Sequence, residues 1–123
     1  MSSKKRVALV TGGMGGLGTA ICKALANDGF TVVANCLPDF PPKDAWLEKN
    51  RADGFDFSAA EGDVADFDSC TAMVKKIESE IGPIDVLVNN AGIMPAGPFL
   101  NEPDSVIDTQ IDVNLRGPII GMR

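Results

Sequence analysis

The stretch Val7-Ala-Leu-Val-Thr-Gly-Gly-Met-Gly-Gly-Leu-Gly18 decides the reading of this chain. Its first four residues form a continuous apolar run, the pattern of a strand buried on both faces in a parallel sheet. The glycines that follow read in two overlapping registers. Gly13, Gly15 and Gly18 match G-x-G-x-x-G, while Thr11, Gly12, Gly16 and Gly18 match T-G-x-x-x-G-x-G. Behind them, Leu17, Ala20, Ile21, Ala24 and Leu25 recur at i, i+3, i+4, i+7 and i+8. That spacing predicts a helix with one apolar stripe, with Thr19, Lys23 and Asn27 on the other side. A glycine turn between a buried strand and a helix suits a pyrophosphate. The backbone can turn tightly and approach the ligand, and the helix start offers unpaired N–H groups and its positive dipole end. A merely flexible turn is the plainer alternative, and the flanking elements argue against it. A P-loop needs Lys after its second fixed glycine. Here Thr19 follows Gly18, which disfavours nucleoside triphosphate hydrolysis.

Outward from this turn the period changes in an orderly way. Gly29 fits a helix cap, Thr31 to Cys36 is a second strand, and prolines keep Leu37 to Pro42 a loop. Lys43 to about Ala52 reads as a helix with Trp46 and Leu47 inward, and Phe55 to Ala60 as a weaker third strand. Asp66 caps a helix whose apolar positions are Phe67, Cys70, Met73, Val74, Ile77 and Ile81. Ile84 to Val88 is a fourth buried strand, and Asn89 to Asn101 a Gly/Pro-rich loop. Pro103 and Asp104 open a last helix that Gly117-Pro118 should bend or weaken. Four strand–helix alternations predict right-handed crossovers and a doubly wound, Rossmann-type α/β sheet in the order 3-2-1-4.

The 123 residues suit one domain, residues 1–123. A formal charge of -6 gives no basic excess, which argues against a dedicated nucleic-acid or anionic-membrane binder. There is no His and no Tyr, so no His base, His–metal site or Tyr acid comes from this chain. Cys22, Cys36 and Cys70 lack metal-ligand spacing and read as small buried hydrophobes in a reducing compartment; no metal is expected. The basic leader before Val7 is followed by too short an apolar run for a signal or a membrane span, so the cytoplasm is the expected location.

The end of the second strand chooses the cofactor. An acid there would hydrogen-bond the ribose 2′-OH of NAD. The strand ends at Cys36-Leu37, and the nearest basic residue downstream, Lys43, would suit a 2′-phosphate. NADP is therefore favoured over NAD. Asp39 is a counterweight, and Lys43 taken alone reads equally as a solvated helix-start lysine.

Together, Thr11-Gly-x-x-x-Gly-x-Gly18, Gly62-Asp-Val64, Asn89-Asn-Ala-Gly92 and Asn114 resemble the short-chain dehydrogenase/reductase family, in its order and spacing. Residues 7 to about 93 look most like its NADPH-dependent acetoacetyl-CoA reductases. Gly12-Gly-Met-Gly-Gly16, Ala26-Asn-Asp-Gly-Phe30, Trp46-Leu-Glu48 and Gly54-Phe-Asp-Phe57 carry that likeness. The resemblance implies that Gly12, Gly13, Met14, Gly15, Gly16, Leu17 and Gly18 cradle the pyrophosphate. Cys36 and Lys43 would lie by the adenosine ribose, Gly62, Asp63 and Val64 along the adenine. Asn90, Ala91, Gly92 and Ile93 would line the nicotinamide-side ribose. Asn114 would be the catalytic Asn that positions a proton-relay water. Each has a plainer reading, as a loop cap, a turn or a polar residue bending its helix.

The family's Ser, Tyr and Lys should follow on later elements, and this chain stops first. The stretch Met94 to Leu100 and the helix around Asn114 look more like other short-chain reductases. The expected function is the cofactor-binding part of an NADPH-dependent carbonyl reductase acting on a small molecule, acetoacetyl-CoA or another 3-oxoacyl thioester. A non-catalytic dinucleotide-binding or subunit-interaction module, or an inactive fragment, is the alternative. The fourth strand would present an open edge, and the resemblance assigns the last helix to subunit contacts. Self-association as a homo-oligomer is expected.

Overall fold

The computed structural model describes residues 5–93 and 103–123. Four parallel strands form one sheet in the order β3-β2-β1-β4: β1 (Val7–Val10), β2 (Thr31–Cys36), β3 (Ser58–Glu61) and β4 (Ile84–Val88). Helices α1 (Gly16–Asn27), α2 (Lys43–Ala52) and α3 (Phe67–Glu80) connect them. After β4 come α4 (Asp104–Ile111), a π-helical turn (Asp112–Arg116) and α5 (Gly117–Met122).

The apolar runs of β1 and β2 are buried on both faces, as a sheet clad with helices requires. On one face Val7, Leu9 and Val33 pack against Met73 and Ile77 of α3. On the other, Val10, Val32 and Ala34 pack with Cys22 of α1 and with Phe57, Trp46 and Leu47. Asp66 caps α3, its side chain accepting from Asp68 N and Ser69 N. Between Val7 and Ala8 the β1–β4 register shifts, passing over Asp85, whose Oδ2 accepts from Val7 N at 2.8 Å.

Three expectations are corrected. The third strand begins at Ser58, opposite Val33, not at Phe55. Phe55 and Trp46 instead stack against Phe57 at 5.4 and 5.3 Å, beneath α2. The buried line of α1 runs through Gly18 and Cys22, with Ile21, Leu25 and Ala26 beside it, while Leu17, Ala20 and Ala24 are exposed. Gly18 turns the helix, because its bare backbone packs on Gly12 and Gly13. The fourth strand, expected to be buried, is a half-buried edge strand with Asp85 exposed. The weakening expected at Gly117-Pro118 takes the form of the π turn Asp112–Arg116, which lies just before Pro118 in the first turn of α5.

Candidate dinucleotide-binding site

The glycine turn leaves the C-terminal end of β1, between β2 and β4. There the sheet order reverses and opens the crevice in which doubly wound folds bind ligands. Three of its glycines are demanded by the protein itself. A Cβ on Gly13 would lie 2.8 Å from Ala34 Cβ and 2.9 Å from Ala34 Cα. Gly12 has φ +61°, and a Cβ on it would lie 2.8 Å from Ala91 Cα. A Cβ on Gly18 would run into the Gly12 carbonyl. Gly15 and Gly16 are different. A Cβ on Gly15 would meet only Gly12 O at 3.8 Å, and one on Gly16 would meet nothing within 4 Å. Packing does not explain their bareness. They keep a surface clear in front of α1 that a side chain would fill.

The start of α1 suits an anion. Its N-cap is Gly15, which has no side chain to cap it, and its first turn holds no acid. The first-turn N–H groups therefore keep no intrahelical partner, and the dipole end is not neutralised.

Buried amides hold this turn in place. Asn35, 3% exposed, accepts from Gly12 N at 3.1 Å through Oδ1, and its carbonyl accepts from Gly13 N at 3.0 Å. Its Nδ2 faces the carbonyls of Cys36, Ala60 and Gly62 at 3.1 to 3.2 Å. On the other side, Thr11 Oγ1 accepts from Asn90 N and Ala91 N at 3.0 and 3.1 Å. Asn90 Nδ2 donates to the carbonyls of Thr11 and Gly12, at 3.1 Å each. Asn114, in the π turn, closes the ring. Its Oδ1 accepts from Ile93 N and its Nδ2 donates to Ile93 O, both at 2.7 Å.

Gly12 to Gly16, Asn90 to Ile93 and Asn114 thus lie together at the ends of β1 and β4. Leu17 stands 69% exposed beside them, and Met14 is half-buried against the α1 side of the sheet. Gly62, Asp63 and Val64 follow β3 and are tied into the fold. Gly62 N donates to Cys36 O at 2.9 Å, and a Cβ on Gly62 would strike Met73 Sδ at 2.9 Å. Asp63 Oδ1 accepts from Ala65 N at 3.0 Å. Val64 is buried against Gly117. Lys43 is not a free cation: its Nζ donates to Glu61 Oε2 at 2.8 Å. That bond, with the charge of Glu61, raises the ammonium pKa; the same bond, with the one from Asp39 N, holds the carboxylate below its ordinary range. Burial, then the nearby Glu61 carboxylate, pushes the Cys36 thiol up.

Asn35 was visible in the sequence only as one amide in the run Thr31-Val-Val-Ala-Asn-Cys36. Glu61 carried no local signal. The loop expected from Asn89 to Asn101 lies outside the described residues from position 94 on. A separate groove of about 540 Å³ runs between α3, β4 and α5, on the sheet face away from α1. It does not include Gly12 to Gly18.

The family model described as short chain dehydrogenase matches residues 6–123. The chain belongs to the short-chain dehydrogenase family. Over 111 residues it is 58% identical to nodulation protein G of Azospirillum brasilense and 53% identical to an acetoacetyl-CoA reductase of Cupriavidus necator. Each match covers 90% of this chain and 45% of the relative, so the chain spans less than half the length of these curated proteins. A blue fluorescent protein from a metagenomic library, solved with NADPH, superposes with TM-score 0.78 at 33% identity. That match covers 95% of this chain and 48% of that one. A gluconate 5-dehydrogenase of Burkholderia cenocepacia, solved with NADP and tartrate, gives TM-score 0.78 at 32% identity, over 91% of this chain and 44% of that one. Among the described residues, no helix is long and apolar enough to cross a membrane.

Proposed function

We propose that this short-chain dehydrogenase chain forms the cofactor-binding part of an NADPH-dependent reductase of a carbonyl substrate, a 3-oxoacyl thioester such as acetoacetyl-CoA. The observation that carries the reading is the bare, uncapped start of α1, held rigid from both sides by Asn35 and by Thr11 with Asn90. The acetoacetyl-CoA reductase relative at 53% identity supports the substrate class. The dinucleotide, when bound, supplies a hydride. The first-turn N–H groups of α1 and the glycine backbone would hold its pyrophosphate, and Asn90 to Ile93 would flank the ribose next to the reacting ring. Val64 and Asp63 would border the adenine. Asn114 would act through Ile93, fixing that segment.

A carbonyl reduction also consumes a proton, and no Tyr or His in this sequence offers one. This favours a second reading in which the chain alone binds dinucleotide without turnover. Calorimetric titration of the chain with NADPH and then NADH tests the binding claim. Saturable binding with NADPH preferred is expected, and no heat with either would sink it. Acetoacetyl-CoA with NADPH, followed at 340 nm, separates the two readings.

A further inference from the structure

At the adenosine end of the crevice, the chain clasps one of its own carboxylates. Glu61 is the last residue of β3 and the register partner of Cys36, the last residue of β2. Its Oε1 accepts from Asp39 N at 2.7 Å and its Oε2 from Lys43 Nζ at 2.8 Å. Asp39 sits in the left-handed region, at φ +56°, a conformation that Asp tolerates better than most residues. The β2–α2 loop thus presents an amide N–H and an ammonium to a single anion. Such a donor pair would equally clasp a phosphate. In doubly wound dinucleotide folds the adenosine ribose sits at the end of the second strand, beside these groups.

We propose that Glu61 is a specificity-determining residue. Its carboxylate takes the two donors that a 2′-phosphate would use, so NADPH must displace it and NADH need not. The inference rests on the dinucleotide-binding reading above. It makes the chain's own acid, rather than the absence of a cation, the limit on discrimination between the two cofactors.

The test is a titration of the wild-type chain, Glu61→Gln and Lys43→Gln with NADPH and NADH. Removing the charge at residue 61 is expected to tighten NADPH binding about tenfold, the scale of one surface charge contact, and to move NADH by less than about twofold. Lys43→Gln is expected to weaken NADPH alone. Both side chains are partly solvated, so neither change threatens the core, and circular dichroism checks folding. If the wild type binds a dinucleotide but the NADPH-to-NADH ratio stays unchanged or falls in Glu61→Gln, this inference is overturned and the binding reading stands. Should that variant misfold, an unchanged ratio in Lys43→Gln overturns it equally. Failure of the wild type to bind either cofactor overturns both.

Discussion

The indole Nε1 of Trp46 donates to Thr19 Oγ1 across 2.9 Å, and Thr19 Oγ1 donates onward to the Gly15 carbonyl. Helix α2 therefore grips the N-cap of α1 through two hydrogen bonds in series. Trp46→Phe retains a ring to stack on Phe57 and loses the first bond. Urea unfolding is expected to show a loss of about 1 kcal/mol, and Thr19→Val a similar loss. The double variant should lose less than the sum, because both changes break one relay. Strict additivity would contradict the relay.

Asn35 is the most consequential polar residue of the core. Asn35→Ala strands Gly12 N–H and removes the amide donor shared by the carbonyls of Ala60 and Gly62, while the Cys36 carbonyl keeps Gly62 N. A buried donor and acceptors left unpaired cost about 3 kcal/mol together, and the glycine turn loses its anchor to β2. Chemical denaturation should show that loss, and NADPH affinity measured under folded conditions should fall. Unchanged affinity would mean the turn is held by the Asn90 side alone.

Two glycine substitutions separate folding from binding. Gly16→Ala meets nothing within 4 Å and replaces glycine in a helix, so thermal stability should hold or rise by up to about 1 kcal/mol. Its methyl group would stand where a pyrophosphate approaches, so NADPH binding should be lost. Gly18→Ala drives a methyl into the Gly12 carbonyl and should destabilise the chain itself. Tight NADPH binding by Gly16→Ala would show that no pyrophosphate lies against Gly16.

Stability should fall in alkali. Burial raises the Cys22 thiol from 9.0 to about 11, against a weaker backbone hydrogen bond that lowers it. The folded state holds this proton more tightly than the unfolded state. The contribution is therefore full below pH 9.0 and is lost as pH rises to about 11. Burial also raises Cys36 and Cys70, in the same sense. Urea midpoints of the wild type and Cys22→Ala between pH 8 and 11 check this. The variant's slope should be shallower.

The last helical segment bears Ile111, Leu115, Ile119 and Met122, each more than half exposed. We expect the chain to self-associate through this face. Sedimentation velocity should show mass rising with concentration, and Leu115→Glu with Ile119→Glu should return it to a monomer. A monodisperse wild-type monomer would contradict the expectation.

The strand order and the turn's location were legible because they rest on local patterns: apolar runs, a helical period and glycines between them. The boundaries of β1, β2, α2 and β4 follow from the same signals. What stayed hidden depends on distant partners. The tilt of α1 is set by Gly18 lying on Gly12 and Gly13, so of the five apolar residues in phase only Ile21 and Leu25 reach the core, and Leu17, Ala20 and Ala24 face out. Phe55 looked like strand because it is aromatic, but its N–H donates to Asn50 O of α2 and its ring stacks on Phe57. Lys43 was visible as a charge, but Glu61, which occupies it, lies 18 residues away.

The clasp between Thr11 and Asn90 joins positions 79 residues apart. This separation imposes a timetable on the site. The turn is written near the beginning of the chain, yet it gains half of its restraint only when β4 has docked and carried Asn90 to it. Closing so long a loop is slow compared with forming α1. A nascent chain ending at Val88 would display the glycines without the grip, and should hold no dinucleotide.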